Sequence, residues 1–161
     1  MDARNTSDLI ITLPNDKEFV LTRTLNAPRQ LVFEAWTTPE HVRRWWGCDA
    51  MTMSICDIDL RVGGAWRYVL RTPTGEEHGF GGTYREIMRP ERLVYTFIYD
   101  QYPDNAALNT VLFEDRDGRT QVTETVRHQT TEARDAHFQS GVEAGAREVY
   151  ARLEDLLATM K

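Results

Sequence analysis

The sequence predicts an α+β fold in which a curved antiparallel sheet of about six to seven strands packs on one long C-terminal helix. Three observations predict it. Short alternating segments fill the middle of the chain, apolar residues recur at helical spacing at its C-terminal end, and two short helical segments follow the first strand. Strands joined by such short turns pair antiparallel, because a parallel crossover needs about a dozen residues or more.

Length and composition are those of a globular domain. The chain has 161 residues, of which 41% are hydrophobic and 27% charged, so a core can form without disulfides or metal. We expect residues 1–161 to form a single domain, with 1–15 as an N-terminal extension or a short extra strand. The net charge of −6 argues against nucleic acid as a partner, because phosphate-rich surfaces attract basic patches.

The first strand and the two short helices lie before residue 48. Residues 17–25 alternate between polar and apolar side chains, which predicts a strand. Asn26 is expected to cap the first helix. Thr38 and Pro39 are expected to begin the second helix, and Gly47 to end it.

The middle of the chain predicts only strands and turns. Asp117 and Gly118 form its strongest hairpin signal. The glycine-rich stretch 79–82 lies inside a strand with no helix after it, so it indicates close backbone approach or a bulge and not a phosphate loop. The predicted strands are 51–57, 65–71, 79–87, 92–99, 110–114 and 120–128.

The C-terminal segment predicts a helix at 131–138 and a long helix at 141–160. Ser140 and Glu143 have the spacing of a capping box. The apolar side of the long helix carries Val142, Ala146, Val149, Leu153, Leu156 and Met160. A long one-sided helix that follows a sheet lays its apolar side on that sheet, so we expect Val142, Val149 and Leu153 to pack there.

Short motifs in a particular order identify a family. They are Ala27-Pro28, Val32-Phe33-Glu34-Ala35-Trp36, Pro39-Glu40-His41, Trp45-Trp46-Gly47, Asp59-Leu60-Arg61-Val62-Gly63-Gly64, Tyr84-Arg85-Glu86-Ile87, Pro90-Glu91-Arg92-Leu93-Val94, Glu132-Ala133-Arg134-Asp135 and Ser140-Gly141-Val142-Glu143-Ala144-Gly145. With them, residues 17–158 resemble the START-like, Bet v 1-like (SRPBCC) superfamily, in the branch named after the activator of Hsp90 ATPase homologue 1. The resemblance implies the helix-grip fold.

The resemblance also implies a cavity between sheet and helix that takes a small apolar or amphipathic molecule. Aromatic walls with a few polar groups are typical of such pockets, although aromatic side chains equally supply ordinary core. The expected ligand-binding residues are Trp46, Trp66, Tyr68, Phe80, Tyr84, Phe97, Tyr99, Phe113, His137, Val142 and Ala146. Strand alternation alone leaves open which face of the sheet lines the cavity.

Three positions depart from the family pattern. Cys48 stands where proline is common, Ala50-Met51 where a Gly-Phe pair often follows, and Ala146 where a large side chain is usual. If Ala146 faces the cavity, the missing side chain leaves extra volume in its roof.

The sequence contains no catalytic or metal-binding signature. It has no nucleophile elbow, zinc-protease motif or phosphate loop, so we expect a non-catalytic binder without catalytic residues. Cys48 and Cys56 are expected to be inert packing residues. The histidines are His41, His78, His128 and His137, and they lack the spacing of paired metal ligands. We therefore expect no metal and no organic cofactor.

Two other functions stay open. A polyketide cyclase or hydrolase-type enzyme would place a carboxylate or histidine with a shifted pKa in the same cavity. A co-chaperone-like interaction module would present a sizeable exposed patch. The resemblance seldom brings a chaperone link to isolated bacterial domains, so we expect none, and a homodimer stays open.

The N-terminal sequence predicts the location. Residues 1–8 are polar, which is unlike a signal peptide. The apolar runs are too short to cross a bilayer. We therefore expect a cytoplasmic protein without membrane insertion.

Overall fold

A computed structural model describes residues 9–47 and 50–161 of the chain. The helices there are α1 (Arg29–Thr37), α2 (Pro39–Trp45), α3 (Thr131–Gln139) and α4 (Val142–Met160). The strands are β1 (Ile10–Asn15), β2 (Glu18–Leu25), β3 (Thr52–Ile58), β4 (Ala65–Arg71), β5 (Glu77–Met88), β6 (Arg92–Tyr99), β7 (Ala107–Arg116) and β8 (Arg119–Arg127). They form one antiparallel sheet in the order β1-β2-β8-β7-β6-β5-β4-β3.

The predicted α+β fold is confirmed, but the sheet has eight strands instead of six to seven. The additional strand is β1, which pairs with β2 at the edge of the sheet. Its residues are almost all exposed, so β1 lacks the alternation that identifies the other strands. Residues 1–8 of the predicted extension, and the predicted packing residue Cys48, lie outside the described residues.

Two local predictions in the sheet are confirmed. Asp117 and Gly118 have φ angles of 57° and 85°, as a two-residue hairpin turn requires, and they join β7 to β8. Gly82 lies where the backbone approaches closely, because a Cβ there would be 1.9 Å from the carbonyl oxygen of Thr96. That carbonyl accepts the indole N–H of Trp66 at 3.1 Å, which ties β4 to β6 across the glycine.

Two predicted helix caps are wrong. Asn26 does not cap α1, and its backbone N–H donates to Oε1 of Glu154 at 2.9 Å. Ser140 does not form a capping box, since its hydroxyl donates to the carbonyl of His137 at 2.5 Å. Gly141 is the N-cap of α4, with a φ of 112° that few other residues adopt. This turn redirects the chain from α3 into α4.

The predicted apolar side of α4 packs against the core, and the buried surface also includes Tyr150 and Leu157. Leu153 is fully buried as predicted, whereas Val142 and Val149 are only partly buried against the core. The buried residues of α4 are Tyr150, Leu153, Leu156 and Leu157. Tyr150 falls outside an apolar pattern because of its hydroxyl, yet only 1% of its surface is exposed.

A polar contact joins α4 to the centre of the sheet. The hydroxyl of Tyr150 donates to Oε2 of Glu124 on β8 at 2.5 Å. Burial raises the pKa of Glu124, and the Tyr150 hydrogen bond opposes that rise. Beside them, Arg23 of β2 lies 3.8 Å from Glu154 of α4. The helix is therefore attached to the sheet by hydrogen bonding as well as by apolar packing.

Replacing Leu153 with alanine tests the packing of α4. Leu153 has no exposed surface, so Leu153→Ala should lower the free energy of unfolding by about 2–5 kcal/mol. The matched control is Leu108→Ala, at a side chain that is 38% exposed, which should cost about 1 kcal/mol or less. Urea denaturation measures both, and equal losses would contradict this packing.

Candidate functional site

Helix α3 is held beside the start of β2. The side chain of Thr130 caps it by accepting the backbone N–H of Ala133 at 3.1 Å. Arg134 donates to the carbonyl of Asn15 at 2.7 Å and to that of Glu18 at 3.1 Å. These charge-assisted hydrogen bonds hold α3 across the β1–β2 turn, because the guanidinium group of Arg134 must lie where it reaches both backbone carbonyls.

A cavity of about 470 Å³ lies between α3 and the inward face of the sheet. Its lining residues are Met51, Leu70, His78, Phe80, Phe97, Tyr99, Tyr102, Asn105, His128, Ala133, Ala136, His137 and Ser140. The lining is mainly apolar, and none of these described residues is Lys, Arg, Asp or Glu. Helix α3 faces the aromatic strands with the short side chains of Ala133 and Ala136, so the space between them stays open.

A row of stacked rings forms the strand side of the cavity. Phe80 is paired with Tyr99 across β5 and β6, and their rings stack at 4.9 Å with an interplanar angle of 15°. The ring of Phe97 follows at 5.8 Å from Phe80. The imidazole of His137 then stacks on Phe97 at 5.8 Å and 8°. The wall is therefore aromatic from Tyr99 to His137, with the rings of Phe80 and Phe97 tilted by 37° to each other.

Two histidines meet at the α3 end of this row. Nε2 of His128 lies 2.9 Å from Nδ1 of His137, within hydrogen-bond distance. Nδ1 of His128 is buried and has no hydrogen-bond partner among the described residues. Burial and the neighbouring His128 lower the pKa of His137 to about 4, and burial also lowers the pKa of His128. The pair is therefore uncharged at neutral pH.

A second polar contact lies at the other end of the row. Nδ1 of His78 is 2.6 Å from the hydroxyl oxygen of Tyr99. Nε2 of the same imidazole is 2.9 Å from Oε1 of Glu76, whose side chain is exposed. Burial raises the pKa of Tyr99, so this phenol keeps its proton. Each end of the cavity therefore has one imidazole in a defined hydrogen bond.

Four of the sequence-predicted site residues come together on the cavity wall. They are Phe80, Phe97, Tyr99 and His137. Four others form an aromatic cluster behind that wall, around a void of about 20 Å³ that Phe97 also lines. These are Trp46, Trp66, Tyr68 and Tyr84. A void of this size holds one water molecule at most, so the cluster is packed interior rather than open pocket.

The last three predicted site residues lie away from the lining. Phe113 is in the core, where its ring is 5.5 Å from those of Phe33 and Trp36. Val142 and Ala146 are partly buried against the core on α4. The helical side of the cavity is thus formed by α3, although contact of these three residues with a ligand stays a prediction.

Sequence reasoning missed the other lining residues, and some of them carry a signal. His128 follows the inward alternation of β8 after Val122 and Val126. His78 precedes Phe80 by one alternation step on β5. Ala133 and Ala136 have no such signal. They line the cavity because the hydrogen bonds of Arg134 orient α3 with this side toward the sheet.

Among the described residues, neither Cys56 nor a group of metal ligands extends this site. Cys56 is buried as the sequence predicts, with 5% of its surface exposed, and burial raises the pKa of its thiol to about 11. Within residues 9–47 and 50–161, no three or more His, Cys, Asp or Glu side chains are grouped to hold a metal ion. No helix in the same ranges is long and apolar enough to cross a membrane.

An antiparallel sheet, two short helices after its first long strand and a long C-terminal helix together define a helix-grip domain. The family model for activator of Hsp90 ATPase homolog 1-like proteins matches residues 26–158. The chain therefore belongs to this family, within the SRPBCC-type proteins, which commonly bind hydrophobic ligands. The resemblance predicted from the sequence motifs is confirmed.

Solved structures share this fold over nearly the whole chain. A protein from Rhodobacter sphaeroides has a TM-score of 0.89 at 26% identity, covering 94% of this chain and 99% of the other. A protein from Nitrosomonas europaea has a TM-score of 0.82 at 24% identity, covering 92% and 98%. A protein from Staphylococcus epidermidis has a TM-score of 0.80 at 25% identity, covering 94% of each chain. No curated protein gives a significant sequence match.

The uncharged histidine pair predicts a pH dependence of stability. The pKa of His137 is lowered in the folded state to about 4, so the unfolded chain binds more protons between pH 6.5 and 4. Stability should therefore fall as the pH falls through this window, with His137 contributing up to about 3 kcal/mol. Urea denaturation from pH 7.5 to 4.5 should give a shallower decline for His137→Phe than for the wild type.

His41→Phe is the matched control for this measurement, because His41 lies on α2, away from the pair. It should keep the decline of the wild-type protein. An identical decline in wild type and His137→Phe would show that His137 is not held uncharged by the fold.

Proposed function

We propose that this protein binds a small apolar or amphipathic molecule in the cavity between α3 and the sheet, without chemical conversion. The observation that carries the proposal is the aromatic wall of Phe80, Phe97 and Tyr99 beside an open volume of about 470 Å³. Ligand pockets are concave, mainly apolar and provided with a few polar groups, and this cavity has each property. Membership of a family that commonly binds hydrophobic ligands supports the same conclusion.

One observation favours a cyclase-type or hydrolase-type enzyme as a second candidate. His137 lies on the cavity wall, and its pKa is strongly shifted, which is a property of catalytic groups. The direction of the shift opposes the role, however. A general base is most effective when its pKa is near the working pH, and the pKa of His137 is lowered to about 4. No carboxylate among the described lining residues orients this imidazole.

Deuterium exchange distinguishes the two candidates. Cyclase chemistry begins with removal of a proton from a carbon next to a carbonyl group, and phenylacetone in D2O reports that step by NMR. We expect the wild-type protein to leave the exchange rate unchanged, because His137 is too weak a base. Faster exchange with wild type that is lost in His137→Phe would establish the enzyme and overturn the non-catalytic proposal.

Filling the cavity tests the binding function. Ala136 lies on the cavity wall at an exposed position of α3, so Ala136→Trp should occupy the mouth and weaken binding of the neutral dye N-phenyl-1-naphthylamine by about tenfold or more. Ala144→Trp, at an exposed position of α4, is the matched control and should change the affinity by about twofold or less. Ala146→Trp on the same helix tests the predicted roof. Fluorescence titration measures all three, with thermal midpoints confirming that each variant is folded.

Ala136→Trp and Ala146→Trp also compare two possible binding sites, the cavity beside α3 and the roof under α4 that the sequence predicts. Weakened binding in Ala146→Trp alone would favour the predicted site under α4. Wild-type affinity in both variants would mean that the dye binds elsewhere and would refute the cavity as the binding site.

A further inference from the structure

The two polar ends of the cavity differ in the kind of hydrogen bond that they offer. Each is built around an imidazole, and two phenylalanine rings lie between them. The position of each ring hydrogen follows from the partners of the two nitrogens. These positions determine which ligand atoms each end accepts.

At the α3 end, the partners of His128 locate the hydrogens. Its Nδ1 is buried without a partner, and an orphaned buried N–H is rarer than an orphaned acceptor. The hydrogen of His128 is therefore on Nε2, which donates to Nδ1 of His137 at 2.9 Å. His137 is neutral, so its own hydrogen is on Nε2. That nitrogen has no partner among the described residues, on a ring that lines the cavity, and it presents an N–H donor.

At the other end, Glu76 locates the hydrogens. Its carboxylate only accepts, so Nε2 of His78 carries a hydrogen and donates to it at 2.9 Å. At pH 8, where an ordinary histidine is uncharged, Nδ1 of a ring protonated on Nε2 is an acceptor, and the hydroxyl of Tyr99 donates to it at 2.6 Å. The phenol hydrogen is thereby used inside the protein. The lone pairs of the Tyr99 oxygen remain, and this end presents an acceptor.

Charge and shape restrict the ligand further. No Lys, Arg, Asp or Glu is among the described residues that line the cavity, and an ionised ligand group transferred there would lose its hydration without gaining a counter-ion. The wall between the two ends consists of the rings of Phe80 and Phe97, 5.8 Å apart. Aromatic side chains pack favourably against other aromatic rings, in offset-stacked or edge-to-face arrangements.

We propose that the cavity selects an uncharged two-ring molecule that carries a carbonyl-type acceptor for Nε2–H of His137 at one end and a hydroxyl donor for the oxygen of Tyr99 at the other. This inference rests on the proposed function, because it names the class of ligand that the same cavity takes. It orients the ligand in one direction, since the reversed molecule would place donor against donor and acceptor against acceptor.

Four biphenyls of nearly equal size test the proposal. 4-Acetyl-4′-hydroxybiphenyl carries both groups, 4-acetylbiphenyl only the acceptor, 4-ethyl-4′-hydroxybiphenyl only the donor, and 4-ethylbiphenyl neither. Their dissociation constants are measured by quenching of tryptophan fluorescence at pH 8, where an ordinary histidine is uncharged. In the wild type we expect each polar group to strengthen binding by about three- to tenfold, as a net hydrogen bond does.

Two variants assign each gain to one end of the cavity. His137→Phe keeps a ring on Phe97 and removes the donor, so it should abolish the gain from the acetyl group and preserve the gain from the hydroxyl group. Tyr99→Phe should do the reverse. The matched control is His41→Phe, which removes an imidazole from α2, outside the cavity lining, and it should leave both gains unchanged.

The outcomes separate this inference from the proposed function. If none of the four compounds binds, the binding function itself fails. If all four bind alike in the wild type, the cavity binds apolar molecules but the proposed selection is wrong, and this result requires no variant to fold. Loss of the hydroxyl gain in His137→Phe would overturn the assigned direction.

Discussion

The hydrogen bond between Tyr150 and Glu124 determines how the long helix lies on the sheet. A carboxyl group removed from water is costly without a partner, and the hydroxyl of Tyr150 meets it at 2.5 Å. Only one register of α4 along β8 brings the two groups together. Once this register is set, Leu153 and Leu157 fall into the core, and the turn at Gly141 begins the helix. The position of α3, and with it the cavity, depends on that turn.

The inward face of the sheet serves two purposes because its two parts meet different helices. Behind the cavity, the rings of Trp46 and Trp66 each lie about 5 Å from that of Tyr68, and the cluster leaves room for one water at most. Near α3 the same alternation continues through Phe80 and Phe97. There His137 stacks on Phe97, and the other cavity-lining residues of α3 are Ala133 and Ala136. The cavity stays open because these two side chains are small.

Much of the fold was predictable from the sequence because the inward face alternates regularly. Within β4, Trp66 and Tyr68 are two residues apart, as are Phe97 and Tyr99 within β6. Such alternation identifies each strand without knowledge of the strands that pair with it. Edge strand β1 was harder to predict, since its exposed residues carry no alternation. The caps at Asn26 and Ser140 were predicted wrongly because each residue forms a tertiary or neighbouring-helix contact that local spacing does not contain.

The candidate site was predictable only in part for a related reason. Strand periodicity brings Phe80, Phe97 and Tyr99 to one face, but it does not say which helix lies opposite. That choice depends on Arg134 and the carbonyls of Asn15 and Glu18, which are more than a hundred residues away in the chain. The pairing of His128 with His137 likewise depends on how α3 is turned.

Helix α3 forms the variable side of the cavity, although it is only nine residues long and contributes a single buried residue, Ala133. Most of the core that stabilises the protein lies on α4 and the strands, so a substitution at the exposed cavity residue Ala136 leaves that core untouched. Ligand preference can therefore change there with little effect on folding stability. In evolution, such a division allows chains with one architecture to acquire different small-molecule partners through a few changes in one short helix, without first gaining stability elsewhere.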